Sequence, residues 1–277
     1  MILKSAVVKQ SKQTYMPQNN RRVRMSIKIG FIFLFFGHVT CNKIEKCGSL
    51  KSSSTSNLFA FQGSTDEEDI MAPWLAAVGR YTKTVFEDLQ VSCSGVVMTR
   101  KIILTAAHCF EAFKAANKPQ LIPTHVRVGA NRIDSRFSED RKIEEYINHP
   151  NYKYPEFYFD ISLILLEEEL NFSSRISPIC LPETTKRHPG ASTAISVQGW
   201  GKDADGSIGK RVTEANVAIR SQEECNFKFR NAGFQLNETV YTHMPQLTED
   251  TIFCADATIG SQIGTCIGDS GGPALQK

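Results

Sequence analysis

Short apolar stretches recur along most of the chain and are separated by glycine, proline, asparagine and aspartate. Each stretch has the length of a single β-strand and is bounded by residues that are typical of turns. The clearest are WLAAV (74–78), CSGVVM (93–98), KIILTAA (101–107), HVRVG (125–129), ISLILL (161–166), AISVQGW (194–200) and VTEANVAI (212–219). This pattern favours an all-β sandwich or barrel over a helical or βαβ chain.

The N-terminal residues have a different character from the rest of the chain. A basic start, an apolar run over 29–36 and then smaller residues give residues 1–41 the layout of an N-terminal extension and secretory signal peptide, cleaved after Cys41. The segment that starts at Met25 is complete as a signal by itself, and a signal-anchor remains the alternative. Residues 42–60 are polar and serine-rich, which indicates a propeptide or linker. The folded domain is therefore predicted at 61–277.

The charge distribution and the sequons bear on localisation and partners. Residues 1–28 contain seven Lys and Arg and no acid, so removing them takes the net charge from +3 to −4. A body of that charge has no electrostatic reason to bind nucleic acid, or a membrane once the signal is removed. The sequons at Asn171 and Asn237 agree with export as glycosylation sites. We expect a secreted, extracellular protein whose cysteines pair.

Three residues are candidates for catalysis, although each has an ordinary structural interpretation. His108 follows an apolar, strand-like run and stands beside Cys109, but an isolated histidine is more often structural. Asp160 precedes ISLILL, where a buried carboxylate needs a partner such as an imidazole N–H, or it merely caps a turn. Ser270 in GDSGG is either a nucleophile or the polar corner of a glycine turn. The four histidines His125, His149, His188 and His243 are interpreted as structural or surface residues.

The longer motifs around these residues occur together and in a fixed order. TAAHC, DISLILL, VQGW and GDSGGP resemble the chymotrypsin/trypsin family of serine proteases, peptidase family S1. PW (73–74), CSG (93–95), NHPNY (148–152), ICLP (179–182) and GWG (199–201) extend the resemblance from about Phe61 to the last residue. It implies two antiparallel Greek-key barrels of six strands each, with His108 and Asp160 in the first barrel and Ser270 in the second.

The resemblance also implies a mechanism of acyl transfer. Ser270 would attack a peptide carbonyl, His108 would take its proton and return it to the leaving amine, and Asp160 would hold the imidazole tautomer. The backbone N–H groups of Gly268 and Ser270 would form the oxyanion hole. Asp269 would be the residue that pairs with the new N-terminus when the zymogen is cleaved.

The resemblance further assigns cysteine pairs that sequence alone cannot assign. The implied disulfides are Cys93 with Cys109, Cys225 with Cys254, and Cys47 with Cys180. The usual partner of Cys266 lies beyond Lys277, as do strands and a C-terminal helix that the family carries after its nucleophile. We therefore expect the second barrel to be incomplete in this chain, which leaves the activity of the chain as printed open.

Activation and specificity are expected to differ from those of trypsin itself. No Lys or Arg precedes the region of Phe61, and the nearest upstream is Lys51. Either another protease cuts near Ala60, or the protein stays in a zymogen-like state. The resemblance implies that Gly264 forms the floor of the specificity pocket, and a neutral floor favours apolar side chains over Arg and Lys.

No cofactor or metal is expected. The family's calcium loop starts with a Glu after a glycine, whereas Ala130 follows Gly129 here. The predicted function is that of a secreted serine endopeptidase. Its expected partners are protein or peptide substrates and protease inhibitors. The alternative is a non-catalytic protease homologue with a binding or regulatory role.

Overall fold

The computed structural model describes residues 72–81, 89–156, 158–181, 190–202, 209–228, 252–257 and 268–276. Over these residues the strands are β1 (Leu75–Tyr81), β2 (Leu89–Val97), β3 (Ile102–Thr105), β4 (His125–Val128), β5 (Glu139–Asn148), β6 (Ser162–Leu166), β7 (Ala194–Gly199), β8 (Thr213–Ile219), β9 (Ala255–Ala257) and β10 (Ala274–Leu275). One helix, α1 (His108–Ala115), follows β3, a 3-10 turn covers Pro119–Leu121, and residues 222–228 are helical.

The first six strands close into a barrel in the order β1, β2, β3, β6, β5, β4, and every pairing is antiparallel. Closure removes the free strand edges that an open sheet would expose. Fully buried side chains such as Val78, Ile103 and Ile164 fill the interior, and Phe110 of α1 packs into the same cluster. The barrel therefore places the end of β3 and the start of α1 against its own core.

The second part of the fold is an antiparallel sheet in the order β10, β7, β8, β9. Its apolar face is formed by residues such as Ile195, Val197 and Val217. Together with the closed barrel, this sheet confirms the predicted all-β class. The further strands of a second six-stranded barrel are not among the described residues.

A second apolar cluster joins the barrel to this sheet. Trp74 before β1 and Trp200 after β7 are both buried in it, and Leu275 of β10 packs against its edge. The indole N–H of Trp74 donates to Oε1 of Gln198 at 3.1 Å, so one of the two indoles at the junction is also anchored by a hydrogen bond. This packing fixes the position of the loop before β10 relative to the barrel.

β6 contributes side chains to both apolar clusters. Leu163 and Leu165 alternate along the strand with the buried positions Ser162, Ile164 and Leu166. Ile164 and Leu166 point into the barrel core, whereas Ile161 and Leu163 pack on the cluster around Trp200. The strand is apolar on both faces because it lies between two cores.

A half-buried polar cluster connects three strands on the outside of the barrel. Arg127 on β4 lies opposite Asp140 on β5, and its Nε and Nη2 donate to the two carboxylate oxygens at 2.6 and 2.7 Å. Tyr81 on β1 donates its hydroxyl to the same carboxylate. Burial alone would raise the pKa of Asp140, but these hydrogen bonds and the positive charge of Arg127 bring the pKa below its ordinary value.

This cluster predicts a pH-dependent contribution to stability. We expect Asp140→Asn to lower the free energy of unfolding by about 2 kcal/mol at neutral pH, because it removes a charged acceptor from two partners. Since the folded pKa lies below the unfolded one, the contribution is present above the unfolded pKa and is lost as pH falls through the folded pKa. Urea unfolding of both proteins between neutral pH and about pH 3 measures the difference.

The control for that measurement is Asp134→Asn, which breaks the exposed pair with Arg132 and is expected to change stability by no more than about 0.5 kcal/mol. If the gap between wild type and Asp140→Asn stays constant as the pH falls below about 4, the carboxylate charge is not the source of the stabilisation.

Candidate active site

His108 is held at the exact point where a barrel strand turns into a helix. β3 ends at Thr105, two buried alanines follow, and His108 is the first residue of α1. The next residue, Cys109, is joined to Cys93 on β2 by a disulfide with an S–S distance of 2.04 Å. The backbone around His108 is therefore attached to two strands of the barrel, β3 and β2. This restricts the position of the imidazole, while the His108 side chain stays 15% exposed.

The Asp160 carboxylate is directly paired with His108. Its Oδ2 lies 2.6 Å from Nδ1 of His108, and its Oδ1 accepts the backbone N–H of His108 at 2.8 Å. That N–H belongs to the first turn of α1, whose N-cap Ala107 offers no side-chain acceptor, so Asp160 satisfies it instead. With only 7% of its side chain exposed, the carboxylate fixes both the backbone and the ring of His108.

The backbone before Asp160 is unusual. Phe159 has φ of 56°, in the left-handed region that non-glycine residues seldom adopt, and its ring stacks on His149 with centroids 4.8 Å apart. The N–H of Ile161 donates to the carbonyl of Phe159 at 2.7 Å, so Asp160 lies at the tip of a three-residue turn. This turn directs the carboxylate toward α1 rather than along β6.

Tyr152 lies near the same carboxylate. Burial raises the pKa of its phenol, and the negative charge of Asp160 raises that pKa further. The phenol therefore stays neutral over the physiological range and adds no second negative charge beside Asp160.

Ser270 lies in the loop before β10, and its backbone is hydrogen-bonded to the barrel close to His108. Its carbonyl oxygen accepts the N–H of Ser94 on β2 at 2.8 Å and lies 3.9 Å from Sγ of Cys109. The loop thus brings Ser270 to the cysteine that directly follows His108, although 161 residues separate them in sequence. Gly268 is buried with φ of 99°, a conformation that only glycine adopts without strain.

Asp269 is enclosed by two glycines of the GWG motif. Its Oδ1 accepts the N–H of Gly201 at 2.8 Å. A Cβ on Gly199 or Gly201 would lie 2.3 or 2.4 Å from the Asp269 carboxylate, which is closer than any real contact. Both positions therefore have to be glycine for the carboxylate to occupy this place.

The other predicted site residues are placed as follows. Cys225 and Cys254 form a disulfide, and Cys180 is disulfide-bonded. Asn171 is exposed. The residues Cys47, Asn237, Gly264 and Cys266, and the segments 1–41 and 42–60, lie outside the described residues.

One group of three potential metal ligands occurs among the described residues, formed by Cys93, His108 and Cys109, with ligand atoms within 4.8 Å of one another. Both sulfur atoms belong to the disulfide, so neither is available as the thiolate that binds a metal. The close approach of the two cysteine sulfur atoms is explained by the Cys93–Cys109 disulfide bond.

Comparison with known proteins decides the family. The family model described as Trypsin matches residues 61–277, which include every element of the site described above. The chain belongs to the trypsin family.

Several curated proteins are similar to this trypsin-family chain. It is 30% identical over 208 residues to the clotting factor G beta subunit of Tachypleus tridentatus, a match that covers 74% of this chain and 62% of that protein. It is 29% identical over 212 residues to the serine proteinase stubble of Drosophila melanogaster, covering 74% of this chain and 24% of that protein. The matches thus span less than two thirds of each relative's own length.

Solved structures agree with the trypsin-family fold. Neuropsin, a serine protease expressed in the limbic system of mouse brain, is 25% identical with a TM-score of 0.54, and the match covers 76% of this chain and 80% of that one. A structure titled GrC is 22% identical with a TM-score of 0.57, covering 75% and 80%, and supports the fold alone. In the described part of this trypsin-family chain, no helix is long and apolar enough to cross a membrane.

Sequence reasoning found the three candidate catalytic residues of this trypsin-family chain but missed Ser94, which holds the loop of Ser270 against the barrel. The backbone N–H of Ser94 donates a hydrogen bond to the carbonyl of Ser270. Its hydroxyl donates to the carbonyl of Gly268 and accepts the backbone N–H of Trp200. The available sequence indication was a hydroxyl residue inside the otherwise apolar strand CSGVV, since a buried hydroxyl requires partners.

Proposed function

We propose that this trypsin-family protein is a secreted serine endopeptidase that hydrolyses peptide bonds by a Ser270–His108–Asp160 triad. The single observation that carries the proposal is the 2.6 Å pair between His108 Nδ1 and Asp160 Oδ2, made next to the loop that holds Ser270. A buried imidazole–carboxylate pair beside a serine is the arrangement that converts a hydroxyl into a nucleophile.

The proposed chemistry divides the reaction between the three side chains. With its Nδ1–H donated to Asp160, His108 carries its free lone pair on Nε2, which is the atom that accepts the proton of Ser270 as the hydroxyl attacks the carbonyl carbon. The imidazolium that results is stabilised by the Asp160 carboxylate, which is too buried to be screened well by water. The same proton then passes to the leaving amine, and water hydrolyses the acyl-enzyme in a second cycle.

The carbonyl oxygen becomes negatively charged during attack and requires fixed donors. The proposed donors are the N–H groups of Gly268 and Ser270. The positive φ of Gly268 supports this, because a residue with a side chain could not hold that backbone conformation without strain. Asp269, between them, is proposed to pair with the N-terminus that activation near Ala60 would release.

The proposed substrates are proteins or peptides with an apolar rather than a basic side chain before the scissile bond, because Gly264 would provide a neutral pocket floor. Protease inhibitors are proposed as further partners. Secretion and glycosylation at Asn171 are supported by the N-terminal sequence and by the exposure of Asn171.

The experiment that tests the proposal is covalent labelling of the full chain, expressed with its leader and collected from the medium, by a fluorophosphonate probe. We expect one adduct on Ser270, identified by mass spectrometry, and none in Ser270→Ala. The matched control is Ser174→Ala, an exposed serine outside the site, which should label as wild type does.

Lack of an adduct on a folded sample that has been cleaved near Ala60 would contradict the enzyme proposal. That result would favour the non-catalytic homologue. An adduct that persists in Ser270→Ala would show that a different residue is the nucleophile.

A further inference from the structure

Ser94 is a fully buried residue of β2 that contacts the loop carrying Ser270 twice. Its backbone N–H donates to the carbonyl of Ser270 at 2.8 Å, and its side-chain hydroxyl donates to the carbonyl of Gly268 at 2.9 Å. Both distances lie within the ordinary range for strong hydrogen bonds. One residue of the barrel thus holds two carbonyl groups of the second half of the fold.

These two bonds constrain the peptide group that lies between them. The N–H of Ser270 belongs to the Asp269–Ser270 peptide, and the peptides before and after it are the two whose carbonyls Ser94 holds. A planar peptide between two fixed neighbours has little freedom to rotate. The direction of the Ser270 N–H is therefore set from β2.

The hydroxyl of Ser94 has its own direction fixed. It accepts the backbone N–H of Trp200 at 2.8 Å, which leaves its single proton directed to the carbonyl of Gly268. The carbonyl of Ser94 in turn accepts the hydroxyl of Thr105 at 2.7 Å, at the end of the strand that leads to His108. Ser94 therefore connects the GWG motif, the histidine strand and the nucleophile loop.

We infer that Ser94 is a positioning residue of the oxyanion hole: by holding the carbonyls of Gly268 and Ser270 it orients the Asp269–Ser270 peptide so that the N–H of Ser270 faces the developing oxyanion. Ser94 itself does not touch substrate. This inference rests on the proposed peptidase function for its kinetic consequence, but the orientation of the loop is a property of the fold.

The test compares Ser94→Ala with Ser196→Ala in the full chain. Ser196 is a matched control because it is also a buried strand serine whose hydroxyl is hydrogen-bonded, to Glu214, and within the described part of the chain that hydroxyl makes no hydrogen bond to residues 268–273. For a peptide p-nitroanilide, we expect Ser94→Ala to lower kcat about tenfold with KM changed less than about twofold, because a displaced oxyanion donor affects the transition state and not the bound substrate.

Two further readouts separate positioning from a loss of stability. A peptide trifluoromethyl ketone forms an ionised hemiketal, so its inhibition constant should weaken about tenfold in Ser94→Ala, in parallel with kcat. Amide hydrogen exchange of the peptide that covers 268–274 should be about tenfold faster in Ser94→Ala than in wild type or Ser196→Ala.

The outcomes distinguish this inference from the proposed function. If wild type neither cleaves nor labels, the peptidase proposal fails, and hydrogen exchange alone decides whether Ser94 orients the loop. If exchange at 268–274 is unchanged in Ser94→Ala, the inference is overturned whether or not the wild type is active. An equal fall in kcat for Ser94→Ala and Ser196→Ala would also overturn it, because the effect would then follow from general destabilisation.

Discussion

Asp160→Asn is expected to lower kcat for peptide hydrolysis about 10⁴-fold while the protein keeps its fold. The amide oxygen can replace Oδ1 and still accept the backbone N–H of His108, which lies 2.8 Å away in the wild type. The amide nitrogen, however, would face Nδ1 of His108 as a donor at the 2.6 Å contact. The imidazole must then carry its proton on Nε2, so it can no longer take the proton of Ser270.

Steady-state kinetics with a peptide substrate and circular dichroism of the same sample measure both parts of this prediction. Asp134→Asn is the matched control, because it makes the same chemical change in an exposed pair with Arg132. Its kcat should equal that of wild type. An Asp160→Asn variant with near-wild-type kcat would show that this carboxylate does not set the imidazole tautomer.

Gly271→Ala is expected to reduce both stability and activity strongly. Gly271 has φ of 86°, and a Cβ there would lie 2.3 Å from the carbonyl oxygen of Ser94 and 2.3 Å from Oγ1 of Thr105. The first of these atoms is backbone and cannot rotate away. We expect a loss of about 3 kcal/mol in the free energy of unfolding, from the combined overlap and backbone strain.

The same substitution should lower kcat by about 10² or more, since the loop must move away from β2 and carry Ser270 with it. Gly190→Ala is the control, because nothing lies within 4 Å of its added Cβ. Urea unfolding and peptide hydrolysis of both variants measure the two effects. If Gly271→Ala behaves like Gly190→Ala, the loop is not packed on β2 in solution as it is in this structure.

The strands that could be predicted from the sequence are those that contain a short apolar stretch bounded by turn residues. Every stretch named from the sequence contains or overlaps a strand of the structure. β5 could not be predicted in this way, because EDRKIEEYIN carries six charged residues in ten and only Ile143 and Tyr146 pack against the core. It is a strand because β4 and β6 hydrogen-bond to it on either side, which is tertiary information.

The sequence by itself determined the all-β class and the identity of the candidate nucleophile, base and carboxylate, because these depend on residue type, local apolar pattern and long motifs. Only the tertiary structure decided how those residues are held. The pairing of Asp160 with both the ring and the backbone of His108, the glycine enclosure of Asp269 and the role of Ser94 all join residues that are distant in sequence. Hydrogen bonds between distant residues depend on distance and direction in the folded chain, and no local pattern encodes either.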